Sequence, residues 1–218
     1  AQRQGRAKNS NDLTQPAILK MMAMGGEGTI IERLKQLHIV PLAISYEYDP
    51  CDYLKAREYQ LRRDLPYWKK TAEDDLESML VGIKGYKGHI FYKCAPCIDE
   101  WLDTVDEELP KNKLFDTIAA HIDHQIHSNY KLYPINYVAL DMIQDTRVYE
   151  EYYTVEDYQN FNTYLDGQIE KIDIENRDDK FLRTCLLTQY AYPAKNYIAA
   201  SSESGRFKSL LNRLTFKK

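Results

Sequence analysis

His38-Ile39-Val40-Pro41-Leu42-Ala43-Ile44-Ser45-Tyr46 is the stretch on which the fold reading turns. It is β-rich and almost wholly apolar through its middle. That pattern reads as a buried strand of an α/β sheet, because a strand covered on both faces loses the alternation of a half-exposed one. Pro41 has no N–H, which weakens the hydrogen bonding expected there. Upstream, Pro16 suits a first helical position, and Ile18, Leu19, Met22 and Ala23 make an apolar face behind it. Gly25-Gly26-Glu27-Gly28 breaks that helix, and Ile30, Ile31, Leu34 and Leu37 carry a second. Downstream, a charged helix is expected over 52–63. Another is expected over 72–84, with Leu76, Met79, Leu80 and Ile83 on one side and Gly85 at its end. A short strand follows over 88–94.

Beyond Pro110 the texture is helical, with periods over 113–129, 135–144, 155–172 and 178–190 and a last amphipathic piece over 206–214. The expected fold is therefore α/β. It has a partial mixed sheet with flanking helices over 1–110, followed by a mostly helical extension over 111–218.

A chain of 218 residues is long enough for one sizeable core or for a domain with a helical appendage. Its formal charge of −4 offers no bulk attraction to nucleic-acid phosphates, so no nucleic-acid partner is expected. Four cysteines, Cys51, Cys94, Cys97 and Cys185, are too few for a disulfide framework, and reduced thiols in a cytoplasm fit best. No stretch approaches the roughly 18 uninterrupted apolar residues of a bilayer span, so membrane contact is expected to be peripheral. Phe207, Leu210, Leu211 and Leu214 form an apolar stripe flanked by Arg206, Lys208, Arg213, Lys217 and Lys218. That piece, Arg206 to Lys218, could lie on an anionic bilayer or dock on the helical half.

Chemistry concentrates first in Arg3-Gln4-Gly5-Arg6-Ala7-Lys8, where three cations surround a glycine ahead of a helix. Guanidinium offers two-point hydrogen bonding to phosphate oxygens, ammonium a mobile point charge, and glycine a close backbone approach. A solvated basic terminus is the other reading.

This run, followed by Asp12-Leu13-Thr14-Gln15, resembles the glutamate-glycine-arginine block of glycerol-3-phosphate and lysophosphatidate acyltransferases. Ile39 to Glu47 resembles the proline-containing strand block that follows it there, and Gly88 to Ile98 the later strand ending in a proline-apolar pair. The resemblance spans roughly the first half of the chain and implies transfer of a fatty acyl group in phospholipid synthesis. The donor it implies is acyl-CoA or an acyl carrier protein, with no other cofactor. The acceptor is a glycerol phosphate or lysophospholipid hydroxyl, and the setting is the cytoplasm or the inner face of the cell membrane. Arg3, Gly5, Arg6 and Lys8 are then the substrate phosphate-binding residues and Pro41 a structural member of its block. Gln4 stands where the family has glutamate; it keeps the shape without the charge, which leaves its contact with substrate in doubt.

The family's catalytic motif, His-x-x-x-x-Asp, precedes these blocks, and none of the five histidines here has aspartate five positions later. No catalytic residue is therefore named. The chain reads as the C-terminal portion of the enzyme, inactive alone. A non-catalytic lipid- or protein-binding scaffold on the same fold is the alternative.

Cys94-Ala95-Pro96-Cys97 has dithiol spacing, but no thioredoxin-like βαβ unit surrounds it. Zinc would need two further ligands, and Cys51 and Cys185 lack paired spacing, so no metal is expected. His121, His124 and His127 recur on one helix. At about 100° per residue they fall opposite Phe115, Ile118, Ala119, Ile122 and Ile126, which predicts an exposed histidine face.

Overall fold

The computed structural model describes residues 7–215, with side chains as far as 202. The chain is mixed α/β in the broad sense: mostly helical, with a two-stranded antiparallel sheet. In order come α1 (Pro16–Met22), α2 (Ile30–Lys35), β1 (Leu42–Tyr46), α3 (Asp52–Asp64), α4 (Ala72–Lys84) and β2 (Ile90–Cys94). They are followed by α5 (Asp99–Leu102), α6 (Lys111–His127), α7 (Pro134–Gln144), a short 3-10 turn (Glu150–Tyr152), α8 (Val155–Glu170) and α9 (Asp179–Thr215).

Local chemistry accounts for many of the helix starts. Thr29, Thr71 and Thr154 each accept a hydrogen bond from the amide three residues on. Glu32, Asp74 and Asp157 return the bond to the threonine amide, so two otherwise unpaired donors are satisfied at each of α2, α4 and α8. Pro16 and Pro134 occupy first-turn positions of α1 and α7, where a missing N–H costs nothing. α7 stops where Asp145 turns left-handed, at φ 52°. Gly85 follows α4 because a Cβ there would stand 2.4 Å from Pro50 Cβ and 2.6 Å from the Val81 carbonyl oxygen.

The decisive strand differs from its expectation. β1 alternates, with Ala43 and Ser45 buried and Leu42, Ile44 and Tyr46 exposed, so it is covered on one face and not on two. The covered face packs on α6, and Ser45 Oγ accepts from the Lys131 amide at 3.0 Å. β2 pairs with it in the register Leu42↔Cys94, Ile44↔Tyr92 and Tyr46↔Ile90, and its own side chains are largely exposed. Pro41 is buried ahead of β1, and its carbonyl accepts from the Ala95 amide at 2.8 Å.

Two apolar cores hold the helices. Leu19, Ile31, Leu34, Ile98, Leu102 and Ile118 centre one, which joins α1, α2, α5 and α6 under β1. Val138, Phe161, Leu165, Leu182 and Leu186 centre the other, where α7, α8 and α9 meet Ala56 of α3. Side chains from both sides of Pro110 therefore share each core. α9 is one continuous helix where periods over 178–190 and 206–214 were expected. Pro193 sits inside it and removes the amide that would bond the Gln189 carbonyl, yet the helix runs on.

Candidate functional site

Arg3, Gln4, Gly5 and Arg6 lie outside the described residues, as do the side chains of the Arg206–Lys218 piece. Lys8 is described, and its position is built by its neighbours. The Ala7 amide donates to Asp12 Oδ1 at 2.8 Å and closes the loop. Thr14 then donates through its amide and its hydroxyl to Asp123 Oδ1 of α6, at 2.8 and 2.6 Å. Asn196 of α9 donates to Asn11 at 3.2 Å. Held on two helices in this way, the loop lays Lys8 against α3, where its ammonium pairs with the buried Glu58 carboxylate. Arg62, one turn further along α3, reaches the same carboxylate at 2.7 Å. Burial, reinforced by the charges of Arg62 and Lys70, brings the Lys8 ammonium down to about 8.

Lys8 is part of the wall of a cavity of about 1090 Å³. Its other cations are Lys55, Arg62, Lys70, Lys87 and Lys131, facing the carboxylates of Asp12, Asp49, Glu58 and Asp75. Asp49 pairs with Lys55, Glu58 with Lys8 and Arg62, and Asp75 with Lys70 at 2.7 Å, while Asp12 accepts from the Ala7 amide. Apolar side chains share this lining: Leu42, Ile44 and Tyr46 from the uncovered face of β1, and Met79 and Ile83 from α4, with the Lys87 ammonium donating to the Ile83 carbonyl at 3.2 Å. Met79 and Ile83 are 63% and 75% exposed, so this part of the lining is open to solvent. Cations and apolar side chains lining one space, at about the upper end of ordinary ligand pockets, suit an amphiphilic anion.

Behind this wall stands a buried acid that fixes α3. Asp52 is fully buried, and its Oδ2 accepts from the Tyr164 hydroxyl of α8 and the Tyr190 hydroxyl of α9, both at 2.6 Å. Its Oδ1 accepts from the Tyr53 amide at 2.6 Å. Burial outweighs these bonds and pushes the carboxyl up to about 6, while burial and the Asp52 charge push both phenols upward. The Tyr190 hydroxyl also accepts from the Asp49 amide at 3.2 Å, which links the network to the cavity lining.

The sequence reading missed Lys55, Glu58 and Arg62, although a signal was present. At spacings of three and four they fall on one face of the charged helix, a face worth examining for charged recognition. Lys70, Lys87 and Lys131 come from separate loops and carried no such signal. The exposed histidine face is corrected: His127 is buried, and His121 is half-buried, stacked on Trp101 with ring centroids 3.7 Å apart. Burial together with His124 lowers His121 to about 4. The reason is that the Trp101 ring of α5 covers His121, while Tyr130 and the segment joined to Asp123 through Thr14 close over the His127 end of α6. Among the described residues these three histidines form no metal-binding group.

No protein-family model, no curated protein and no solved structure matches this chain. Among the described residues no helix is long and apolar enough to cross a membrane.

Proposed function

We propose that this chain is the C-terminal part of a glycerolipid-type O-acyltransferase and that its cavity receives the anionic acceptor, a glycerol phosphate or lysophospholipid. The observation that carries the reading is the position of Lys8. The lysine assigned to phosphate by the resemblance stands in the wall of a cavity shared with Arg62 and Lys70 and bounded by Leu42, Ile44, Met79 and Ile83. Burial and neighbouring cations bring the Lys8 ammonium down to about 8, and an arriving phosphate offers it a further charge-assisted hydrogen bond. The apolar wall suits an acyl chain lying beside that headgroup.

In the reaction the acceptor hydroxyl oxygen attacks the thioester carbonyl of acyl-CoA or an acyl carrier protein. An O–acyl bond forms, the C–S bond breaks, and the hydroxyl proton passes by way of a base to the departing thiolate. That base is supplied from outside this sequence, so the residues here bind and orient. Arg3, Gly5 and Arg6 belong to the same phosphate site in this proposal. The two strands belong to a larger mixed sheet with flanking helices, and Arg206 to Lys218 rests on the inner face of the cell membrane in the cytoplasm.

Calorimetric titration of glycerol 3-phosphate and of a short-chain lysophosphatidate, with glycerol as the control, tests the reading. Both phosphates are expected to bind and glycerol not. Lys8→Gln is expected to weaken both by about tenfold, the loss of one charge-assisted bond. Phosphate bound at Lys8 raises that ammonium's pKa, so affinity is highest between the phosphate's own second pKa of about 6 and about pH 8, and falls as pH rises further. Equal binding of glycerol and glycerol 3-phosphate, or binding indifferent to Lys8→Gln, overturns the reading.

A further inference from the structure

Away from the cavity, the chain brings together three donors that no spacing in the sequence announces. The Ile98 amide donates to the Ile39 carbonyl at 3.0 Å, and the Ala95 amide to that of Pro41, so the segment entering β1 runs beside the segment leaving β2. Ile98, 1% exposed, is anchored in the core between Cys97 and Asp99. Opposite them stands His38, at φ 46°, a left-handed backbone that a side-chain-bearing residue adopts at some cost. Its imidazole Nδ1 meets Asp99 Oδ2 at 2.6 Å although the ring is 78% exposed. One ligand atom each from His38, Cys97 and Asp99 lies within 4.8 Å of the other two. Asp99 Oδ1 is shielded from solvent and makes no hydrogen bond of ordinary geometry.

We infer that His38, Cys97 and Asp99 form a Zn²⁺ site with three protein ligands and one open position. A nitrogen, a thiolate sulfur and a carboxylate oxygen are the donors zinc takes, whereas magnesium and calcium favour oxygen alone. Ligand atoms on a tetrahedral zinc stand about 3.5 Å apart, given its bonds of roughly 2.0–2.3 Å. The cluster therefore has to close by about an ångström at its widest while the His38–Asp99 hydrogen bond gives way to the ion. His38, exposed and at the end of a loop, is the ligand able to move. Zinc binding displaces the thiol proton of Cys97 and clips the entry of β1 to the start of α5. This site is independent of the acyl-acceptor cavity and of its lining.

The test is titration of the reduced chain with Co²⁺, followed by the near-ultraviolet thiolate-to-cobalt absorption, and with Zn²⁺ by calorimetry. Circular dichroism of each variant confirms its folding. One metal ion per chain is expected, with the thiolate absorption lost in Cys97→Ser and kept in Cys94→Ser. His38→Gln and Asp99→Asn, each removing a direct ligand, are expected to weaken Zn²⁺ by more than the roughly 10–100-fold typical of outer-shell partners. Absence of saturable binding overturns the inference. So does thiolate absorption that survives Cys97→Ser or disappears in Cys94→Ser, or an affinity unmoved by His38→Gln but lowered by His124→Gln.

Discussion

Substituting Asp52 by asparagine tests the buried junction that holds α3 against α8 and α9. The shape is kept, and the two tyrosine hydroxyls, each 2.6 Å from Oδ2, still find an amide oxygen to donate to. What is lost is the acceptor for the Tyr53 amide, which then faces an amide NH₂, a cost of about 1 kcal/mol. What is gained is relief from a buried charge. Burial raises the carboxyl from its ordinary 3.8 to about 6, so ionised Asp52 costs the folded state about 3 kcal/mol at 1.36 kcal/mol per pH unit. The sign follows from proton counting. Between these two values the folded chain holds a proton that the unfolded chain has lost, so wild-type stability falls as pH rises through the window. Asparagine has nothing to titrate. The stability of Asp52→Asn relative to wild type should therefore rise by about 2–3 kcal/mol between about pH 4 and about pH 7.5, from slightly below wild type to roughly 2 kcal/mol above it. Urea denaturation of both proteins at the two pH values measures this gap directly. A gap that stays constant, or one that narrows towards neutral pH, refutes the claim that burial dominates at Asp52.

Phe161 is fully buried and meets Tyr190 edge-on at 5.2 Å, so Phe161→Ala should cost about 3–5 kcal/mol in urea denaturation; a loss under about 1 kcal/mol would mean the core closes over the gap. Thr154→Ala removes one half of the reciprocal cap with Asp157 and should cost about 1 kcal/mol, whereas Val155→Ala beside it, on an exposed side chain, should cost less than half as much.

Local signals carried much of the architecture. The second charged helix ends where its period and Gly85 place it, over Ala72–Lys84, and the strand at Ile90–Cys94 lies inside the expected segment. Periodicity could not show that only one face of the His38 to Tyr46 run is covered, because that depends on what packs across it. Nor could it carry α9 past Pro193, since a proline normally reads as a stop. The site divides in the same way. Lys8 stood out as a cation beside a glycine, and the face formed by Lys55, Glu58 and Arg62 was legible in its spacing. Asp52 resembled any acid in a first helical turn until α8 and α9 delivered two tyrosines to it from more than 100 residues away. His38, separated from Cys97 and Asp99 by about sixty residues, is brought to them by the strand pairing and by the Ala95–Pro41 and Ile98–Ile39 bonds that extend it.

The central claim is acyl transfer to an anionic acceptor held by Lys8, and the most direct measurement is a steady-state assay on the complete natural polypeptide. It would be given acyl-CoA or acyl carrier protein thioesters with glycerol 3-phosphate or lysophosphatidate. The expected result is thioester-dependent acylation of one of these acceptors, with Lys8→Gln raising the acceptor KM by about tenfold and changing kcat much less, as befits a group that binds the headgroup rather than the reacting atoms. A folded protein that turns over neither acceptor, or one whose acceptor KM is untouched by Lys8→Gln, contradicts it.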